Sequence, residues 1–318
     1  MSNKLVFVPL AYKQNYSMSA NMKVDNDTGI VVYLKNALVS LISVKKYNTG
    51  VQVALVTNFT VPNKFRNIFE KNDILIFEIT FDNFIMPPEF KWSLAFFKIL
   101  ALEYVVKELN YDYYLELDSD EICINSFDDM WYELNDKLLM YVSRFRFNHS
   151  TRKLYSDIYC NVYKLIEFQG RISKTGGGFI AGNKNSILHF IDECNYVYSY
   201  LKENVDKLDK NIGDELYTSI YYAKFSDRVK DASPYVDVYW TSDFYYVSTN
   251  YKFDAVSLLH LPDEKQRGLL YIYDYFMKNG TFPSENLMFK YLSFPNSKRP
   301  FSIIRFWLRI KRKLIKPR

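Results

Sequence analysis

Between Tyr113 and Ile122 the chain reads Tyr-Tyr-Leu-Glu-Leu-Asp-Ser-Asp-Glu-Ile. Asn110-Tyr111-Asp112 stands before this stretch and Asn125-Ser126 after it. A short aromatic and aliphatic run with such flanks has the length of a buried strand. The strand ends in two carboxylates one residue apart, Asp118 and Asp120. Like charges taken out of water repel, so something must offset them. A divalent cation with hard oxygen ligands is the simplest candidate, magnesium or manganese by preference. A cation at the end of a central strand points to chemistry on phosphate.

The surrounding pattern predicts the sheet that such a strand needs. Leu5 to Leu10, Val51 to Thr57 and Ile74 to Ile79 are short apolar runs of strand length. Between them, Thr28 to Tyr47 places apolar residues at helical spacing, and Pro62 to Lys71 reads as a shorter helix. After the break at Pro87-Pro88 a helix is expected over Lys91 to Leu109. Alternation of this kind implies an α/β fold with a mostly parallel sheet covered on both faces. Ligands in open sheets of this kind sit at the carboxyl ends of the strands, where Val8 to Tyr12, Asn58 and Asp118 to Asp120 all fall.

The second half is less regular. Leu138 to Arg146 reads as a strand. Thr175 to Gly182 holds the cluster Gly176, Gly177 and Gly178, which suggests a tight turn or a close backbone approach to a ligand. Ser186 to Lys202 and a segment starting near Gly213 read as helices, Ala255 to Leu261 as a strand and Asp263 to Lys278 as a helix. One domain is expected over residues 1–280, with a nucleotide half to about residue 125 and an acceptor half over about 126–280, followed by a tail over 281–318.

Composition narrows the class. The chain has 318 residues, of which 48% are hydrophobic, enough for a substantial core. Three widely spaced cysteines fit a reducing compartment rather than a disulfide framework. The N-terminus shows no signal-peptide pattern, and no apolar run is read as a transmembrane helix. The net charge is +5, with 41 basic and 36 acidic residues. Nine of the basic residues and no acidic one lie in the last 21 positions, which leaves 32 basic against 36 acidic elsewhere. The positive charge therefore belongs to the tail, which argues against nucleic acid as a partner of the body. In the tail, Ile303, Trp307, Ile310 and Leu314 recur at helical spacing among lysines and arginines. That is the pattern of a basic amphipathic helix on an anionic membrane surface. The alternative is a helix packed on its own domain.

Several residues beyond the aspartate pair have types suited to chemistry. His260 lies on an apolar run before Pro262 and is either a satisfied core histidine or a third metal ligand. Lys265 is either helix surface or a cation for a phosphate. Asp214 and Glu215 either complement a helix N-terminus or supply a general base that takes a proton from a hydroxyl.

The ordered set resembles the GT-A-fold glycosyltransferases, above all bacterial enzymes that build capsular or lipopolysaccharide side chains, and at a distance the family 8 galactosyltransferases. The resemblance runs over roughly residues 4 to 265. It rests on Val6 to Tyr12, Phe97 to Tyr104, Leu117-Asp118-Ser119-Asp120, Gly177 to Gly182, Gly213-Asp214-Glu215 and His260. It implies a UDP-sugar donor, of galactose or glucose type, and a manganese or magnesium ion held by Asp118, Asp120 and His260. Val8, Pro9, Leu10, Ala11 and Tyr12 would line the uracil and ribose pocket with Asn58 near it, and Asp118 and Ser119 would meet the donor. Lys98 stands where family 8 carries an arginine, and Lys265 would meet the phosphates. Gly176, Gly177 and Gly178 would border an oligosaccharide or lipid-linked acceptor. The chain reads Ile212-Gly213-Asp214 where family 8 reads Asp-Gln-Asp, and the carboxylates at Asp214 and Glu215 favour inversion of configuration. The expected place of work is the cytoplasm, at the inner face of the cell membrane. Two other readings are open. One is a haloacid-dehalogenase-type phosphatase, whose Asp-X-Asp belongs near the N-terminus. The other is a non-catalytic membrane-docking protein with the same fold.

Overall fold

In the computed structural model β1 (Lys4–Leu10), α1 (Asn26–Tyr47), β2 (Val51–Thr57), α2 (Asn63–Lys71), β3 (Ile74–Glu78), α3 (Phe97–Glu108) and β4 (Tyr113–Leu117) follow the predicted alternation. The structure describes residues 3–16, 26–143, 146–241 and 255–294, together with Trp307 and Ile310. The chain goes on through β5 (Glu121–Cys123), α4 (Met130–Glu133), β6 (Leu138–Val142), α5 (His149–Tyr163) and β7 (Thr175–Asn183). Then come α6 (Lys184–Glu203), α7 (Glu215–Lys224), β8 (Val229–Asp231), β9 (Val236–Val238), β10 (Leu258–His260), α8 (Gly268–Asn279) and α9 (Glu285–Tyr291).

Seven strands form the main sheet in the order β3-β2-β1-β4-β7-β6-β8. β1 to β4 are mutually parallel, and β7 runs antiparallel to both β4 and β6. The central strands are buried on both faces, which is why they read as unbroken apolar runs rather than alternating ones. Side chains alternate across β4: Leu115 and Leu117 join the core beneath α1 and α2, while Tyr114 joins the core beneath α3, α6 and α7. A three-stranded sheet, β5-β10-β9, lies beyond the end of β4 and sets His260 opposite Glu121.

Several boundaries differ from expectation. The helix expected from Lys91 begins as a 3-10 turn over Ser93–Phe96 and becomes α-helical only at Phe97. The tighter turn buries Ser93, Leu94 and Phe96 at the helix start. Strand β6 stops at Val142, and β10 covers only three residues. The helix expected from Asp263 starts at Gly268, because residues 262–267 form turns. It ends at Gly280, whose φ of +70° gives the left-handed cap that glycine adopts without strain. Within the tail expected over 281–318, Met288, Phe289, Leu292 and Phe294 are buried in the core. The basic amphipathic helix at residues 298–318 lies outside the described residues except for Trp307 and Ile310, both helical, with Trp307 63% exposed.

One expectation about membranes is corrected. Thr28–Tyr47 of α1 is long and apolar enough to cross a membrane by length and composition, with a mean hydropathy of 1.3. Here most of it is buried against β1, β2, β5 and α8, which is how a core helix acquires the same composition.

Candidate active site

The end of β4 opens into a cavity of about 450 Å³. Asp118, Ser119, Asp120, Lys98, Asp214, Glu215, Gly176, Gly177, Gly178, His260 and Lys265 all line it, as do Pro9, Leu10 and Ala11. Residues as far apart in the chain as Pro9 and Lys265 thus reach one space. Val8 does not line it: its side chain is fully buried in the core. Tyr12 and Asn58 also stand outside the lining. The Asn58 amide instead brackets the Tyr12 backbone, accepting from its N–H and donating to its carbonyl, both at 2.7 Å. Asn58 therefore shapes the loop that follows β1.

Two lysines reach the aspartate pair. Lys98 Nζ lies 2.5 Å from Asp118 and 2.8 Å from Asp214. Lys265 Nζ lies 2.5 Å from Asp120. His260 Nε2 faces both aspartates, 3.6 Å from Asp118 and 3.2 Å from Asp120. The repulsion that called for a cation in the sequence is thus offset by the chain's own lysines. Burial alone would lower the Lys98 pKa, but Asp118, Asp214 and Glu116 together raise it well above its ordinary value. Burial likewise works against the Lys265 charge and is outweighed by Asp120. Asp120 is 2% exposed, and burial raises its pKa, yet Lys265 and His260 hold it well below the usual carboxylate range.

A divalent cation still fits. The ligand atoms of Asp118, Asp120 and His260 lie within 4.8 Å of one another. Bonds of about 2.1 Å to magnesium put two ligands of one ion at most about 4.2 Å apart, so small rotations close the set. Two carboxylates and an imidazole suit magnesium or manganese. The lysines would have to release their carboxylates as the ion arrived.

Asp214 occupies the cap position of α7 but makes no side-chain hydrogen bond to the helix N-terminus. Its carboxylate turns to Lys98 instead, so capping does not explain it. Glu215, the first residue of α7, pairs with Lys174 at 3.5 Å. Burial raises its pKa, Lys174 opposes, and Asp214 adds to the rise. Its side chain keeps 37% exposure in the cavity wall, so water tempers the shift. A carboxyl with a raised pKa is suited to accepting a proton near neutral pH, and Asp214 is already engaged by Lys98.

The glycine cluster is a strand. Gly177 lies so close to Asp214 that a Cβ there would overlap its carboxylate, and a Cβ on Gly178 would stand 2.5 Å from Asp118 Oδ2. The close approach inferred from three glycines is real, but its partners belong to the protein itself: carboxylates at Gly177 and Gly178, and the Tyr141 ring at Gly176.

Sequence reasoning missed Lys174, Trp92, Tyr155 and the buried acids Glu116 and Glu121. Trp92 and Tyr155 line the cavity, and the Trp92 ring base packs 3.3 Å from where a Gly213 Cβ would be. Glu116 and Glu121 are 0% and 1% exposed, and their oxygens take no hydrogen bond from any described residue. Burial raises both pKa values well above the ordinary range, Lys98 opposing most for Glu116 and Asp118 adding for Glu121. A charged residue inside an otherwise apolar strand was the available signal for Glu116, while Glu121, which opens β5 directly after Asp120, offered none of its own.

No protein-family model matches the chain, and no curated protein matches it. Among solved structures it is similar to the galactosyltransferase LgtC in complex with donor and acceptor sugar analogues. That likeness has 15% identity and a TM-score of 0.53, and covers 89% of this chain and 98% of that one. It is also similar to the apo form of mouse xyloside xylosyltransferase 1, at 8% identity and a TM-score of 0.47, over 81% of this chain and 97% of that one. The chain therefore has the GT-A glycosyltransferase fold. The phosphatase alternative falls away, since its nucleophile belongs near the N-terminus and the aspartate pair here follows the fourth strand.

Proposed function

We propose that this protein is a metal-dependent glycosyltransferase that moves a hexose from a nucleotide sugar to a saccharide acceptor. The observation that carries the reading is the convergence of Asp118, Asp120 and His260 at the end of β4, inside the cavity of a GT-A fold. These three residues would hold manganese or magnesium, which when bound neutralises a diphosphate leaving group as a Lewis acid. Pro9, Leu10 and Ala11 line the side of the cavity where the sequence resemblance puts the nucleoside, and the donor is read as a UDP-sugar of galactose or glucose type. Lys265 offers its ammonium to the diphosphate. Glu215 takes the proton of the acceptor hydroxyl as the acceptor oxygen bonds to the anomeric carbon and the electron pair of the breaking C–O bond leaves on the diphosphate. In a single displacement of this kind the configuration inverts.

The acceptor is read as an oligosaccharide, lipid-linked, in capsule or lipopolysaccharide synthesis. The support is the basic amphipathic pattern of residues 298–318, which fits docking on an anionic inner membrane face, where each basic residue adds about 1 kcal/mol. Removing residues 298–318 is expected to lower the vesicle-bound fraction while donor hydrolysis continues. An unchanged bound fraction would remove the membrane from this reading.

The central test is titration of UDP with and without manganese. Tight binding only with the ion is expected, and Asp120→Asn should weaken it by more than about 100-fold, as loss of a charged ligand does. A second reading, a binding protein that keeps the fold without catalysis, is favoured by the lysines already seated on Asp118 and Asp120. Manganese-independent UDP binding, with no donor hydrolysis, would select it.

A further inference from the structure

Glu121 is a buried acid that the proposed reaction does not use. It is 1% exposed, and neither of its oxygens accepts a hydrogen bond from a described residue. An apolar side chain of the same size would be the cheaper occupant, because burying an unpartnered carboxyl costs free energy. Its surroundings suggest what it is for. Strand β5 pairs with β10 so that Glu121 lies directly opposite His260. The Leu261 N–H also donates to the Asp120 carbonyl at 2.9 Å, which ties the two segments on either side of that pair. The imidazole stands between two sets of acids: Nε2 looks toward Asp118 and Asp120, and Nδ1 looks toward Glu121 Oε1 at 3.6 Å. The glycine at 178 leaves the room, since a Cβ there would lie 2.5 Å from Asp118 Oδ2 and 3.2 Å from Glu121 Oε1.

We propose that Glu121 is a positioning residue for His260: it accepts the Nδ1–H of the imidazole and so keeps Nε2 as a ligand atom beside Asp118 and Asp120. The inference rests on the metal reading given above. A neutral imidazole carries one N–H. When Nε2 gives its lone pair to a cation, that proton sits on Nδ1 and needs an acceptor, a part that carboxylates commonly play behind metal-binding histidines. Glu121 is the acid facing Nδ1 among the described residues. The present 3.6 Å is about half an ångström beyond a hydrogen bond, a gap that a small shift of the Glu121 side chain can close.

The test is manganese titration of the full chain, read by the electron paramagnetic resonance of the free ion, with thermal unfolding in parallel. Glu121→Leu is expected to weaken manganese about 10–100-fold without lowering the unfolding temperature. Glu121→Gln keeps an acceptor for Nδ1–H and is expected to stay within about threefold of the parent. In a His260→Ala background, Glu121→Leu is expected to change affinity by less than about twofold, because a residue that acts through His260 has nothing left to position. Three results would overturn the inference while leaving the metal site intact: unchanged affinity in Glu121→Leu, equal losses in the Gln and Leu variants, or the same loss with and without His260. If the parent and Asp120→Asn both fail to bind manganese, the metal reading falls and this inference falls with it.

Discussion

The two halves of the molecule build their shares of the cavity in opposite ways. From β1 to β4 the chain winds back and forth regularly, and most of what it contributes at the cavity lies at a strand end or on α3 and the turn that leads into it, with Tyr33 of α1 beside them. Beyond residue 126 the contributions come from segments scattered along the chain: the end of β6, Tyr155 of α5, the glycine strand β7, the start of α7, the end of β9, and β10 with the turn after it. Two antiparallel pairings join the halves: β7 pairs with β4 on one side and β6 on the other, and β10 pairs with β5. A regular half provides a rigid frame with few chemical choices. An irregular half places single side chains, and its geometry depends on every long-range pairing being correct.

The comparison is tested hardest in the frame itself. Leu55 lies fully buried in β2. Leu55→Ala is expected to cost about 3 kcal/mol of stability in chemical denaturation, with manganese-dependent UDP affinity of the folded protein unchanged. A change in that affinity would show that the frame and the site are not separable. At the seam the effect should be smaller but felt in both places. Gly178→Ala puts a methyl group 2.5 Å from Asp118 Oδ2, and is expected to cost about 2 kcal/mol and to weaken manganese binding, because the Asp118 carboxylate must move. Loss of stability alone would mean that Asp118 does not set the site.

The irregular half carries the smallest expected effect, and it depends on pH. Glu264 is 3% exposed, and its pKa is pushed up to about 7 by burial, against hydrogen bonds from Thr241 and the Gly268 N–H. An acid whose folded pKa lies above its unfolded value near 4.5 binds more protons when folded. Stability therefore falls as pH rises from about 4.5 to about 7, and the penalty is complete above that. Glu264→Gln is expected to gain about 1–2 kcal/mol at pH 8 and almost nothing at pH 4.5, measured by urea unfolding at both pH values. An equal gain at both would assign the effect to packing.

The same contrast explains what could be read from residue order. In the first half, hydrophobic period and strand length are local properties, so strands and helices were legible to within a few residues. The aspartate pair was legible too, because a buried strand with charged ends is a local contradiction. In the second half the local signal was weak or pointed elsewhere. Three glycines have little tendency to form a strand, and only pairing with β4 and β6 makes them one. The counter-charges at Lys98, Lys174 and Lys265 were illegible as such, because which acid a lysine meets is decided by tertiary contact between segments at least 20 residues apart in the chain. Val8 shows the converse limit: it was read as lying at the strand end, but it falls two residues inside β1 and its side chain is taken up by the core.

The run from Gly176 to Gly178 also says something about which substitutions this chain can accept. Elsewhere in the sheet the forbidden property is polarity, because the neighbours are apolar. At Gly177 and Gly178 the neighbours are carboxylates, and even alanine, the mildest replacement, would collide with one, whereas Gly176 faces the Tyr141 ring. Size is the quantity under constraint at Gly177 and Gly178, so a saturation library should find these two positions intolerant of every residue alike, hydrophobic or charged, while the buried Phe179 and Ala181 further along β7 reject only the polar ones.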